Sequence, residues 1–65
     1  MSINRSEILA YLVAHGASSV EEISLALGLS CRVIYANITE LKRVGLVKSK
    51  HLTDSEGTHL YVQLI

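Results

Sequence analysis

Arg32, Tyr35, Ala36 and Thr39 stand three, one and three residues apart, a spacing that lines all four along one face of a helix. The chemistry they offer is recognition rather than bond making: a guanidinium fork that donates two parallel hydrogen bonds, a phenol, a hydroxyl and two methyl groups. Arg32 is the strongest of the four, because its planar fork can grip a paired acceptor with two hydrogen bonds where a lysine offers only a point charge. Lys42, Arg43, Lys48 and Lys50 follow and supply further positive charge, and Ser30 is placed to cap a helix. Plainer readings stand beside these: Arg32 as a solvated residue at a helix start, and Tyr35 as an aromatic at the edge of a core.

Catalytic chemistry has little support. There is no Gly-rich phosphate loop, no HExxH string and no nucleophile motif, and 65 residues hardly enclose a pocket of several hundred cubic ångströms. The expectation is that the protein is not an enzyme. His15, His51, His59 and Cys31 match no zinc spacing, so neither a metal nor a cofactor is expected. Cys31 falls at a helix start, where the dipole favours a thiolate; redox sensing is one reading, and a small residue filling the first turn is the other.

The formal net charge is zero, yet the charges are separated along the chain. The stretch from Ser30 to Leu52 carries Arg32, Lys42, Arg43, Lys48 and Lys50 against Glu40 alone, with His51 beside them. Before it, Arg5 is outnumbered by Glu7, Glu21 and Glu22; after it come Asp54 and Glu56. Such a field orients a molecule on a polyanion as well as attracting it. The alternative is a merely solvated helix end and strand.

Elements must hold these side chains in place, and composition says how. With 49% hydrophobic residues and no Phe, Trp or Pro, the core has to be aliphatic, with Tyr11, Tyr35 and Tyr61 at its margin. A chain this short buries only about 60% of the surface exposed when unfolded, so every apolar residue counts. The longest apolar run, Ile8 to Ala14, is seven residues, far short of the roughly 20 that cross a bilayer, and no basic leader segment is visible. A single cysteine cannot form an internal disulfide. A soluble cytoplasmic protein without membrane contact is expected.

Helix 1 is predicted at about 5–15, opened by a capping box in Asn4-Arg5-Ser6-Glu7. Ile8 with Leu12 and Leu9 with Val13 form two apolar rows, and Ala10, Tyr11 and Ala14 make the helix apolar most of the way round. In so small a domain the second covered side points to another subunit, with Leu9, Tyr11 and Ala14 as the homodimer interface. Helix 2 is predicted at about 20–27 behind the box Ser19-Val20-Glu21-Glu22, with Val20, Ile23 and Leu27 inward and Glu21, Glu22 and Ser24 outward. Gly28 allows a sharp turn, Leu29 enters the core and Ser30 caps helix 3, predicted at about 31–44 on the buried row Ile34, Ile38, Leu41. Gly16, Gly28 and Gly45 stand where the three helices should stop.

Beyond Gly45 the rhythm becomes that of strands. Leu60, Val62 and Leu64 alternate with His59, Tyr61 and Gln63, and Leu46 to Thr53 should pair with them across the turn Asp54-Ser55-Glu56-Gly57. That turn matches Val47 with Leu64 and Lys50 with Tyr61, setting the lysines on an outer face with Tyr61 and Gln63. Ala17 and Ser18 are expected to add one short bridge. The whole chain, 1–65, reads as one α+β domain, mostly α, with a C-terminal β-hairpin over about 46–65.

The order helix, helix, turn, helix, hairpin, with Leu29-Ser30, Ile34, Ile38, Leu41 and Gly45-Leu46-Val47 at these spacings, resembles the winged helix-turn-helix transcription regulators of bacteria and archaea. The string is similar to that of the multidrug-resistance and arsenic-responsive regulators. Length and the pattern Glu7-Ile8-Leu9, Tyr11-Leu12, Glu22-Ile23, Gly45 and Tyr61 resemble the stand-alone fimbrial-operon regulators. The resemblance implies that helix 3 is a recognition helix and the hairpin a wing, with Arg32, Tyr35, Ala36 and Thr39 reading base edges, Arg32 gripping a guanine, and Ser30, Lys42, Arg43, Lys48 and Lys50 contacting phosphates. It implies a double-stranded DNA-binding regulator, in particular a repressor, acting as a dimer with helix 3 in the major groove. The sequence departs from that pattern at the wing tip, Asp54-Ser55-Glu56-Gly57, where carboxylates would be repelled by phosphate. The competing reading is a winged-helix interaction module or co-regulator that docks on another DNA-binding protein.

Overall fold

A computed structural model describes residues 3–65. In chain order its elements are α1 (Ile3–His15), β1 (Ser18–Ser19), α2 (Val20–Leu27), α3 (Cys31–Arg43), β2 (Val47–Asp54) and β3 (Gly57–Leu64). The strands form one antiparallel sheet in the order β1-β3-β2.

The caps show why the helices begin and end where they do. Ser19 and Ser30 hold extended backbone, and their Oγ atoms accept from the amides of Glu22 and Val33 at 3.1 and 3.3 Å. The turn between α2 and α3 is closed by Gly28 in the left-handed region, at φ 67°, while the amides of Gly28 and Leu29 both donate to the Ser24 carbonyl. The Ser24 hydroxyl donates to the Leu29 carbonyl across the same turn. Ser24, expected to face outward, is therefore half-buried: a short hydroxyl can satisfy a carbonyl that the tight turn leaves unpaired. At the end of α3 the amide of Leu46 reaches the Leu41 carbonyl and that of Gly45 the Lys42 carbonyl, with Gly45 at φ 82°. This paired closure makes Val44 the cap rather than the last helical residue.

Helix α1 begins at Ile3, so Asn4 lies inside the first turn and the box expected over Asn4–Glu7 does not open the helix. A capping residue needs extended backbone angles, which a helical position does not offer. The short bridge is likewise one residue later than expected and two residues long: Ser18 pairs with Val62 and Ser19 with Tyr61. Ser18 and Ser19 are buried there, with the Ser18 hydroxyl donating to the Gly16 carbonyl at 3.0 Å and the Ser19 oxygen used as the α2 cap.

The core is the aliphatic one that the composition requires. Ile8 and Leu12 of α1, Val20 and Ile23 of α2, Ile34, Ile38 and Leu41 of α3, and Val47 and Val62 of the sheet are all buried. Val13, expected in the α1 stripe, is instead 74% exposed. A helix lying against one small core can bury a single stripe, and Ile8 with Leu12 fills it. The hairpin register is as expected, Val47 opposite Leu64 and Lys50 opposite Tyr61. Pairing continues to Asp54 with Gly57, leaving Ser55 and Glu56 at the tip, where the Glu56 amide donates to Oδ1 of Asp54 at 2.8 Å. Residues 51–58 are exposed throughout, so the far half of the hairpin stands out from the core of a molecule whose overall extents, hairpin included, are 36 × 24 × 21 Å.

Candidate nucleic-acid interface

Helix α3 packs its buried row inward and turns a continuous face to solvent. Arg32, Tyr35, Ala36, Thr39, Lys42 and Arg43 are all exposed, and at 3.6 residues per turn they fall within about a third of the circumference. Tyr35, at 44% exposure, projects from the core rather than sealing its edge. Ser30 is exposed at the head of the same helix; its oxygen accepts the Val33 amide, and its own hydrogen remains available to an outside acceptor.

Two members of this face already have partners. The Thr39 hydroxyl donates to the Tyr35 carbonyl at 3.0 Å, so it offers outward a methyl group and lone pairs but no hydrogen. Arg43 grips one carboxylate oxygen of Glu40 through Nε at 3.2 Å and through a terminal nitrogen at 2.6 Å. The hydrogen bond and charge of Arg43 hold the Glu40 carboxyl below the usual carboxylate range, and Glu40 raises the Arg43 guanidinium in turn. This exposed pair contributes little to stability, but it occupies part of the Arg43 fork.

The wing lysines sit as the register dictates. Lys48 faces Gln63 across the ladder and Lys50 faces Tyr61, both lysines exposed on the side opposite Val47 and Val62. The expected subunit contact is less coherent. Leu9 and Tyr11 are both half-buried but point about 160° apart around α1, one on each flank of the buried stripe, and only Ala14 of the three faces fully outward. Tyr11 stacks on His15, ring centroids 4.2 Å apart. The apolar surface that α1 presents to solvent is Ala10, Val13 and Ala14, with Leu9 at its margin.

The structure also brings together a set that sequence reasoning missed. Glu21, Glu22, Asp54, Glu56 and His59 line a recess of about 230 Å³ between the start of α2 and the turn of the hairpin. No local signal joins them, since His59 meets Glu21 from 38 residues away. Among the described residues no group of histidine, cysteine, aspartate and glutamate side chains is arranged to hold a metal ion. Cys31 is free and half-buried in the first turn of α3. Among the described residues no helix is long and apolar enough to cross a membrane.

No protein-family model matches the chain, and no curated protein sequence matches it. Solved structures do. A transcriptional regulator homologue from Pyrococcus horikoshii OT3 is similar over 94% of this chain and 60% of its own, with TM-score 0.85 and 23% identity. Stf76 from the Sulfolobus islandicus plasmid-virus pSSVx matches 98% of this chain and 82% of its own, with TM-score 0.87 and 22% identity. A mutant of MepR from a multidrug-resistant S. aureus clinical isolate matches 100% of this chain and 47% of its own, with TM-score 0.85 and 19% identity. The chain thus spans about half of the MepR chain and three fifths of the Pyrococcus chain. The likeness shows the fold, a winged helix-turn-helix with the β2–β3 hairpin as the wing.

Proposed function

We propose that this chain, acting as one domain over 1–65, is a sequence-specific double-stranded DNA-binding transcription regulator, a cytoplasmic repressor that binds as a homodimer with α3 in the major groove. The observation that carries the reading is the α3 face: its apolar row is sealed in the core, while Arg32, Tyr35, Ala36 and Thr39 are all exposed on one side. The fold likeness to proteins described as transcriptional regulators supports it and gives no support to an enzyme.

In this reading the Arg32 fork donates to the O6 and N7 acceptors of a guanine. Ala36 and the Thr39 methyl suit a thymine methyl, since the Thr39 hydrogen is spent on the helix. Tyr35 reaches a neighbouring base or sugar. Ser30, Lys42, Lys48 and Lys50 contact phosphates and fix the register without reading bases, and Arg43 joins them to the extent that phosphate displaces Glu40. The acidic tip, Asp54 to Glu56, stays out of the minor groove, and the lysines on the stem hold the backbone instead.

Dimerisation is assigned to α1, with the contact recentred on Ala10, Val13 and Ala14 beside Leu9 and with Tyr11 at its edge. Two such copies would read half-sites about one helical turn apart. Selection of duplexes from a random pool by the purified protein tests the whole reading. Enrichment of one partly palindromic site supports it; a pool that stays random rejects it. The acidic recess beside α2 favours the second reading, a module docking on another DNA-binding protein, and a random pool together with co-purification of such a protein would favour that instead.

A further inference from the structure

His59 lies half-buried on β3 with a carboxylate facing each of its ring nitrogens. Nδ1 is 2.9 Å from Oε1 of Glu21 on α2, and Nε2 is 3.5 Å from Oδ1 of Asp54, where the hairpin begins to turn. An ionised carboxylate only accepts, whereas a neutral imidazole has one N–H and one bare lone pair. A neutral ring therefore serves one carboxylate and sets a lone pair against the other. Only the doubly protonated ring turns an N–H toward both, hydrogen-bonded to Glu21 at 2.9 Å and ion-paired with Asp54 at 3.5 Å.

The surroundings reinforce that preference. Glu22 and Glu56 line the same recess, the Tyr61 phenol stands two residues on along the same side of β3, and Lys50 occupies the diagonal position on β2. Four carboxylates thus line the recess that holds this one imidazole. Asp54 also accepts the Glu56 amide, so the contact reaches the backbone of the tip itself.

We propose that His59 is a proton-operated latch that fastens the wing to helix α2, closed when both ring nitrogens carry hydrogen and released on one side when a proton leaves. The Glu21 hydrogen bond, helped by the Asp54 and Glu21 charges and opposed by partial burial, raises the His59 pKa above the ordinary value of about 6.5. A histidine raised on folding contributes stability that is complete below its unfolded pKa and is lost as pH climbs through the folded one. Mildly acid conditions therefore fasten the wing, and conditions above the folded pKa loosen it. The latch stands on this geometry alone; its effect on how Lys48 and Lys50 meet a duplex rests on the DNA-binding reading.

The test is an NMR titration of the histidine rings of the full chain across about pH 5 to 8, with amide hydrogen exchange of the hairpin followed in parallel. The latch predicts a His59 midpoint above about 6.5 that falls in Glu21→Gln, and hairpin exchange, corrected for its intrinsic pH dependence, that speeds up severalfold past the midpoint. In His59→Gln that acceleration should vanish. A midpoint at or below the ordinary value, a midpoint unmoved by Glu21→Gln, or hairpin exchange that ignores pH would overturn the latch. Glu21 is about half exposed and is not a cap, so its variant retains the fold and keeps the test decisive. Failure of duplex binding with the titration intact would remove the regulator reading and leave the latch standing.

Discussion

Single side chains on α3 separate reading from holding. If the proposed reading holds, Arg32→Ala should cost about 1–3 kcal/mol on the preferred duplex and blur preference at one base pair, because in that reading the lost donors are base contacts. Lys50→Ala should weaken all duplexes alike, as a phosphate contact does. Equal, sequence-blind losses from both, measured by fluorescence anisotropy on matched and scrambled duplexes, would reduce Arg32 to a phosphate contact. Glu40→Gln releases the Arg43 fork and should steepen the salt dependence by up to about one contact, roughly 0.9 in log–log slope. An unchanged slope would show that Arg43 stays off the backbone. The outward face of α3 was legible in the sequence because helical period alone places Arg32, Tyr35, Ala36 and Thr39 together. The Glu21–His59–Asp54 set was not, since its members meet only once the hairpin has folded back on α2.

Helices and strands were legible in proportion to how local their causes are. Ser19 and Ser30 cap as their spacing implies, and the hairpin register follows from its turn. Asn4 misled because a residue type that favours caps also sits in helices, and nothing nearby distinguishes the two uses. Val13 misled because rows at i and i+4 fit a wide stripe equally well, and only the size of the core decides how much of it is covered. Ser19→Ala should destabilise the fold by about 1 kcal/mol, and Ile34→Ala by about 2–5 kcal/mol, a large fraction of what so small a domain possesses. Urea unfolding measures both; an Ile34→Ala variant as stable as the parent would contradict a core centred on α3.

Across the whole molecule the cations are concentrated on α3 and β2 and carboxylates gather where α2 meets the hairpin turn, the two sets meeting on the outer face of β2, which Lys48 and Lys50 share with Asp54. The clustering along the chain was visible in the sequence, whereas the recess needed the fold. The outer α1 surface carries Ala10, Val13 and Ala14, so in the proposed homodimer Val13→Glu should yield monomers in sedimentation; a dimer unaffected by that charge would move the subunit contact elsewhere.

Whether the cations of α3 and β2 meet a duplex is read most plainly from binding affinity across a salt series. Four phosphate contacts from Lys42, Arg43, Lys48 and Lys50 predict that the logarithm of affinity falls against log salt with a slope of about −3.6 per subunit, or about −2.7 if Arg43 remains with Glu40. A flat response, or no binding at low salt, would contradict a nucleic-acid interface on α3 and the wing.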